Sequence, residues 1–454
     1  MFDVSYGDAL PTQRNRHRSN RQRSHDYESR RPGHGPSLPR RRTRLETSQK
    51  CETIDLVRAL LLENLHPQAT EILGGAGIDV ENHPGALDED ELIEALDGVE
   101  LLGLRSKTQL TARVIEASAS LIAVGAFSIG TNQIDLAAAA RKGIAAFNAP
   151  FSNTRSVVEM AISEMISLTR RLPDHNRLMH AGVWNKSADG AHEIRGRTLG
   201  IVGYGNIGSQ LSVIAEALGM NVIFFDSSEK LALSNATRMP TLESLLAEAD
   251  IVTLHVDGRP GNQGFFGRTQ IETMKPGALF LNLSRGFNVD VEALREALES
   301  GHVGGAAIDV FPEEPKKKGD PFVTPLQNMS NVILTPHIGG STEEAQRDIG
   351  IFVSTRLRDY VQNGSTSLSV NLPNLSLEHV SGSYRIAHLH SNIPGVLAAV
   401  NHELAQHDVN IEAQVLSTRG ELGYVVTDVA AGTDSGALDA LAGMPGTVRL
   451  RVLS

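Results

Sequence analysis

From about Thr53 onward, short apolar runs alternate with stretches in which apolar residues return every three to four positions. Leu56–Leu62, Leu101–Leu104 and Leu121–Val124 read as strands buried on both faces. His66–Gly74 reads as a helix closing on glycine, and Asp88–Leu96 as an acidic amphipathic helix. Strands alternating with helices predict a parallel sheet. Asn153–Leu172 is a long helical pattern, apolar at Val157, Met160, Ala161, Met165 and Leu168, placed to join two domains. Residues 197–338 then alternate again. Their strands are Thr198–Val202, Asn221–Phe225, Ile251–His255, Leu279–Leu283, Gly305–Ile308 and Val332–Leu334, the count of a doubly wound fold. Gln362–Ser381 is rich in Ser, Asn, Pro and Gly without a period and reads as a linker. Beyond it come strand Tyr384–His390, helix Gly395–Gln406, strands Val409–Ser417 and Tyr424–Val429 around a turn, helix Ser435–Leu441 and strand Thr447–Leu453. The order βαββαβ is the ferredoxin-like pattern of a small separate domain.

Residues 1–50 break this picture. They lack apolar periodicity and carry twelve Lys/Arg against five Asp/Glu, a balance of +7 within a chain of net charge −11. Such a segment cannot bury enough surface to offset its ordering entropy, so it is expected to be a disordered basic extension. It reads either as a solvated tail or as a nucleic-acid-binding or targeting arm. The remainder carries −18, which argues against nucleic-acid binding by the folded body. No apolar run reaches the eighteen residues of a membrane span. A single cysteine, Cys51, excludes an intramolecular disulfide and a Cys-based zinc site. A cytoplasmic protein with no metal is expected.

The densest chemistry lies between Leu199 and Asp226. Gly203, Gly205 and Gly208 follow an apolar strand and open a helix. The first permits a tight turn, the second lets backbone approach a pyrophosphate, and the third lets helix pack on strand. The helix N-terminus offers N–H groups and a positive dipole end to phosphate. Asp226 ends the next strand, where a carboxylate accepts from a ribose 2′-hydroxyl and repels a 2′-phosphate. NAD is therefore the expected cofactor.

Three further polar positions adjoin predicted strand ends: Arg285, Glu314 and His337. Arginine can fork onto a carboxylate, histidine can pass a proton near neutral pH, and a carboxylate can fix the imidazole tautomer. These types suit hydride transfer on a 2-hydroxy acid. Taken singly, each also reads as a surface ion pair, a solvated loop charge or a structural histidine. Arg105 and Lys107 follow the Leu101–Leu104 strand and either grip an anionic substrate or form a solvated loop. Trp184, the one tryptophan, lies in a polar stretch as an interface anchor or a locally packed side chain.

The motifs Gly103-Leu-Arg-Ser106, Gly130-Thr-Asn-Gln133, Ala149-Pro-Phe-Ser-Asn-Thr-Arg-Ser156, Val183-Trp-Asn-Lys186, Gly203-Tyr-Gly-Asn-Ile-Gly208, Asp309-Val-Phe-Pro312 and Thr335-Pro-His-Ile-Gly-Gly-Ser341 together carry a resemblance. From residue 53 onward the chain resembles the D-isomer-specific 2-hydroxyacid dehydrogenases, in the short bacterial branch that oxidises 3-phosphoglycerate and ends in an ACT domain. The resemblance implies an α/β protein with a doubly wound Rossmann-like NAD domain (153–339). A discontinuous flavodoxin-like substrate domain (51–152 and 340–381) and a ferredoxin-like ACT domain (382–454) are also implied. It implies Arg285 as carboxylate clamp, His337 as acid/base and Glu314 as its partner. Asn206, Ile207, Asp226, Leu283, Ser284, Asp309, Gly339 and Gly340 would join Gly203, Gly205 and Gly208 around NAD, with Asp309 meeting the nicotinamide amide. Arg105, Ser106 and Asn153 would face the substrate, while Lys186 and Trp184 reach a neighbouring subunit. The implied reaction opens L-serine synthesis, with 2-oxoglutarate reduction as a side activity in some members. His390, Asn392 and Asn410 would bind L-serine as an inhibitor, in a homotetramer. Two positions depart from the pattern: Pro84 stands where relatives often place a phosphate-binding Lys, and Ser381-Gly-Ser383 replaces a Gly-Gly hinge. The first leaves a sister 2-hydroxyacid dehydrogenase open as an alternative, and an NADH-sensing binding protein is another.

Overall fold

The computed structural model describes residues 51–52, 57–315, 319–430 and 435–453. The expected disordered extension, residues 1–50, lies outside them. Among the described residues, seventeen strands form three sheets. Cys51–Glu52 (β1) comes first. Arg58–Leu62 (β2), Asp79–His83 (β3), Leu101–Leu104 (β4), Ala123–Ala126 (β5) and Ala145–Phe147 (β6) then pair in parallel in the order β3-β2-β4-β5-β6. That is the flavodoxin-like order. Nearly continuous apolar runs account for it, since every residue of β4, β5 and β6 is buried.

The second sheet is also parallel: Thr198–Val202 (β7), Asn221–Phe225 (β8), Thr237–Arg238 (β9), Ile251–Leu254 (β10), Ala278–Asn282 (β11), Val303–Ile308 (β12) and Val332–Leu334 (β13). Its order is β13-β12-β11-β10-β7-β8-β9, the doubly wound arrangement with the crossover reversal at β7. It has seven strands where six are expected. The extra one, β9, is a two-residue edge strand, too short to leave a periodic signal.

The third sheet holds Tyr384–Ser391 (β14), Ile411–Arg419 (β15), Leu422–Val429 (β16) and Thr447–Leu453 (β17), in the order β17-β14-β16-β15 with the helices Val396–Gln406 and Ser435–Gly443. This is the βαββαβ pattern. β1 adds to it in parallel, Cys51 opposite Leu450 and Glu52 opposite Arg451. The first two residues assigned to the substrate domain thus pair with the C-terminal sheet instead.

The helix Glu343–Asn363 joins the layers. Its Val353, Leu357 and Tyr360 share one apolar cluster with Leu61, Ala123 and Phe147 on one side and Leu389, Tyr424 and Val426 on the other. The segment after it is no loose linker. Ser365, Thr366, Ser369, Leu372 and Leu375 are buried. The Asn371 side chain accepts from the Ala146 N–H and donates to the Ile144 carbonyl, both at 2.8 Å, so it caps the free edge of β6. Side-chain hydrogen bonds, not periodic apolar packing, order this stretch, which is why its composition misleads. Beyond it, Arg385 is fully buried in a forked pair with Asp428, at 2.6 and 2.7 Å, and also donates to the Asn363 and Leu377 carbonyls.

The chain passes between the two parallel sheets near Asn153 and again near Gly340, and these crossings touch. A Cβ on Gly340 would sit 2.2 Å from Asn153 Nδ2.

Candidate active site

The glycine turn is built as its spacing requires. Gly203 has φ +94°, and a Cβ there would lie 2.6 Å from the His255 carbonyl oxygen. Gly208 begins close packing of the helix Asn206–Ala217 on its strand, since its Cβ would meet the Gly203 carbonyl oxygen at 2.3 Å. Nothing lies within 4 Å of a Cβ on Gly205, which caps that helix and is exposed. Of the three, Gly205 alone faces open space, the place where a pyrophosphate would meet bare backbone.

Asp226 follows β8. Its Oδ2 accepts from the Tyr204 N–H at 2.8 Å, and Oδ1 from the Ser228 N–H and hydroxyl at 2.9 and 2.8 Å. Partial burial would raise its carboxyl, but these bonds and Lys230 outweigh it and hold it below the usual range. The site thus keeps a carboxylate at the ribose position. Open backbone at Gly205, a helix N-terminus and Asp226 fit a dinucleotide.

Arg285 stands just past β11. Asn282 shapes its turn, accepting from the Ser284 N–H and hydroxyl and donating to the Arg285 carbonyl. Gly286 is obligatory, because a Cβ would lie 1.9 Å from the Phe311 carbonyl carbon. The guanidinium donates to the Ser284 carbonyl at 2.7 Å. Burial pulls its pKa down, opposed by Glu314 and Asp257. Among the described residues no carboxylate lies within ion-pair distance of it, so its other donors await an anion.

His337 Nδ1 lies 2.8 and 3.1 Å from the Glu314 carboxylate oxygens. The Glu314 hydrogen bond raises the imidazole pKa against the lowering effect of burial. Burial pushes Glu314 up, and the His337 contact, with others, brings it below its ordinary value. With Nδ1 turned to Glu314, Nε2 is the nitrogen left for substrate. His337 sits at φ +53°, in the left-handed region. Such strain persists only where surroundings over-determine it, and Asp309 supplies them. Its Oδ1 accepts from the Thr335 hydroxyl at 2.7 Å and the Ile338 N–H at 2.8 Å, its Oδ2 from the Gly339 N–H at 2.8 Å. Asp309 is 2% exposed. Its Oδ1 is filled by two bonds to the histidine loop, while Oδ2 takes one and keeps an acceptor site. Behind it, burial and then the Asp309 charge push Glu164 up to about 8.

The first parallel sheet brings its own loops to this cleft. A Cβ on Gly130 would lie 3.1 Å from Arg285 Nη2. The Gln133 side chain donates to the Ser128 hydroxyl and the Arg105 carbonyl, tying the loop of Arg105 and Ser106 to the same region. Glu63, which the sequence reading missed, organises that loop. It is 7% exposed, and its carboxylate accepts from the N–H groups of Arg105, Lys107 and Thr108 at 3.3, 3.1 and 2.9 Å. Its own N–H donates to the Gly85 carbonyl, so the Pro84 turn adjoins it. Glu63 and Asn64, which follow an apolar strand, take φ +64° and +51°, a conformation the sequence does not announce.

Asn153 keeps a buried, unpartnered Oδ1 at the domain crossing. Leu283, Ser284 and Gly339 are buried beside the Arg285 and His337 loops, and Asn206 Nδ2 donates to the Pro150 carbonyl at 3.4 Å. Lys186 and Trp184 do not join them: both lie in an exposed stretch without regular structure, Trp184 at 78%.

The expected serine trio does not assemble within one chain. Asn392 adjoins Gly420, to whose carbonyl it donates at 3.0 Å, at the Ser391–Leu422 end of the sheet. Asn410 precedes β15 at the opposite end, where Ile411 faces Val429 and Val429 faces Tyr384. The length of strand from Tyr384 to Ser391 separates the ends, about 23 Å. His390 is 3% exposed, its ring against Gly423. Within one chain, His390 and Asn392 thus lie near one end of the sheet and Asn410 at the other.

The comparisons agree with this architecture. Residues 162–339 match the family model described as the NAD binding domain of D-isomer specific 2-hydroxyacid dehydrogenases, and residues 386–449 match an AHAS small subunit-like ACT domain. The chain is 50% identical over 402 residues to the D-3-phosphoglycerate dehydrogenase of Escherichia coli (strain K12), covering 88% of this chain and 98% of that one. To the D-3-phosphoglycerate dehydrogenase of Dictyostelium discoideum it is 44% identical, with the same coverage. Among solved structures, the TT0316 protein of Thermus thermophilus superposes with a TM-score of 0.61 at 30% identity, over 66% of this chain and 96% of that one. The D-lactate dehydrogenase of Aquifex aeolicus, solved with NAD and lactic acid, gives 0.60 at 25% identity over 67% and 95%. The chain belongs to the D-isomer-specific 2-hydroxyacid dehydrogenase family.

Proposed function

We propose that this enzyme oxidises 3-phospho-D-glycerate to 3-phosphohydroxypyruvate with NAD, the first step of serine synthesis. The observation that carries the chemistry is the His337–Glu314 contact at 2.8 Å beside a half-buried Arg285 without a carboxylate partner. Half-identity to D-3-phosphoglycerate dehydrogenases along nearly their whole length supports the substrate.

Arg285 forks onto the substrate carboxylate and so orients C2. Neutral His337, its Nδ1–H donated to Glu314, takes the C2 hydroxyl proton at Nε2. Glu314 stabilises the imidazolium that forms. NAD held in the cleft would supply the acceptor for the C2 hydride. Gly203, Gly205, Gly208, Asn206, Ile207 and Asp226 hold its phosphates and ribose, with Leu283, Ser284, Gly339 and Gly340 along the remainder of the cleft. Asp309 positions the His337 loop. Arg105, Ser106 and Asn153 take the phosphoglycerate end, with Arg105 and Lys107 supplying positive charge where Pro84 cannot. Lys186 and Trp184 act across a subunit contact. The ACT domain binds L-serine between two chains, His390 and Asn392 from one and Asn410 from the other, in a cytoplasmic homotetramer. The placement of Asn392 and Asn410 at opposite ends of a strand about 23 Å long favours a shared site.

The test is reduction of NAD by purified protein given 3-phosphoglycerate, with and without L-serine. His337→Ala should lose turnover while retaining coenzyme affinity. No oxidation of 3-phosphoglycerate alongside oxidation of 2-hydroxyglutarate would replace this substrate.

A further inference from the structure

Three cations that the hydride chemistry does not need stand on the segments around the ribose acid: Lys230 after β8, Arg238 in β9 and Arg259 after β10. Asp226 accepts from the Ser228 N–H and hydroxyl. The Ser228 carbonyl in turn accepts from Arg238 Nη2 at 3.4 Å. Arg238 belongs to β9, the strand missed in the sequence, and pairs with Phe224 of β8, the strand just before Asp226. That edge strand therefore carries a guanidinium to the turn holding the ribose acid. Lys230, four residues beyond Asp226, acts on the same carboxylate.

A third cation comes from the other side. Arg259, in the loop after β10, feels the charge of Asp226. It is forked onto Asp257, with Nε and Nη2 at 2.7 and 2.6 Å from the two carboxylate oxygens. The Arg259 and Asp257 side chains are 64% and 56% exposed. An ion pair so exposed is weak, because solvent screens it. The guanidinium can therefore exchange Asp257 for a better-matched anion at little cost. Phosphate is such an anion, because its oxygens accept both arms of the fork.

A carboxylate alone at this position disfavours a 2′-phosphate, whereas a nearby arginine accommodates one. This site has both. We propose that Arg259, with Arg238 and Lys230, admits a 2′-phosphorylated dinucleotide, so that NADP is a second coenzyme of the same cleft and Arg259 sets the preference. In that complex Arg259 leaves Asp257 for the phosphate, and the Ser228 hydroxyl turns from Asp226 to donate to it. The reaction is otherwise unchanged: the C2 hydride passes to the oxidised coenzyme and the hydroxyl proton to His337.

Two measurements test this. The first is kcat/KM for NAD and NADP in wild type, Arg259→Gln and Arg238→Gln. The second is calorimetric titration with adenosine 2′-monophosphate and adenosine 5′-monophosphate, which needs no hydroxy acid and so stands apart from the substrate assignment. Wild type should use NADP at a kcat/KM within about a hundredfold of that for NAD. Loss of one charged fork should lower the NADP value at least about tenfold more than the NAD value. Affinity for the 2′-monophosphate should fall by a similar factor, with an unchanged melting temperature showing that the variant folds. The proposal is overturned if wild type shows no NADP turnover and binds the 2′-monophosphate no better than the 5′ isomer. Equal losses with the two coenzymes in Arg259→Gln would also overturn it.

Discussion

Replacing Glu314 by Gln removes charge while keeping shape, and the geometry sets the expected loss. His337 Nδ1 lies 2.8 and 3.1 Å from the two carboxylate oxygens. A hydrogen bond to a charged group contributes about 1.5–3 kcal/mol. The side chains are 48% and 36% exposed, so solvent screening favours the lower end. About 1.5 kcal/mol corresponds to roughly a tenfold fall in kcat. The pH profile is the more discriminating readout. Glu314 is the largest influence raising the His337 pKa, while burial and Arg285 act downward. Without the carboxylate the pKa falls. Oxidation needs the neutral imidazole, so the acid limb of kcat/KM should move to lower pH. Reduction of the oxo acid needs the imidazolium, so its alkaline limb should move down as well. Stability must follow the same signs. A raised His pKa contributes stability below its unfolded value that is lost as pH rises through the folded one, and a lowered Glu pKa contributes stability above its unfolded value. The pair therefore stabilises most between the lowered Glu314 and raised His337 values, and Glu314→Gln should lower the melting temperature there and little at alkaline pH. An acid limb that stays in place or moves upward would refute this account of the dyad.

The glycines should separate binding from folding. Gly205→Ala should melt like wild type yet bind NAD more weakly by calorimetry, since its Cβ meets no protein atom. Gly286→Ala should fail to fold, or melt far lower, because its Cβ would lie 1.9 Å from backbone carbon. Asp428→Ala should cost about 3–5 kcal/mol in denaturant unfolding by stranding buried Arg385; a loss below about 1 kcal/mol would show that the pair is not sealed from water. Glu63→Gln exchanges an acceptor for a donor among three N–H groups, so the KM for substrate should rise more than that for NAD.

Fold and chemistry were legible to different depths, and the reason is range. Apolar runs such as Leu101–Leu104 and Ala123–Ala126 report burial on both faces directly, so the parallel sheets follow from local pattern. Gly203, Gly205, Gly208 and Asp226 are readable because one strand-turn-helix unit within 24 residues sets all their roles. Glu63 was invisible because its partners, Arg105 to Thr108, lie more than forty residues away. The Asn371 cap on β6 crosses 225 residues. The placement of Asn410 far from Asn392 depends on strand register, which composition does not carry.

Sheet order also explains why so many ionic groups share one cleft. The carboxyl ends of β8, β7, β10, β11, β12 and β13 lie side by side in that order. They carry Asp226, the glycine turn, Asp257 with Arg259, Arg285, Asp309 leading to Glu314, and His337. Through space the charges alternate: Asp226 feels Arg259, Arg259 holds Asp257, Asp257 and Glu314 both act on Arg285, and Glu314 holds His337. Only the links of Asp257 to Arg285, Arg285 to Glu314 and Glu314 to His337 run between adjoining strands, whereas Arg259 and Asp257 share one loop. Arg285 illustrates the consequence. Burial alone would lower its pKa, and two carboxylates at a distance hold its charge without occupying its donors. A contact at hydrogen-bond distance would have satisfied the guanidinium and closed it to substrate.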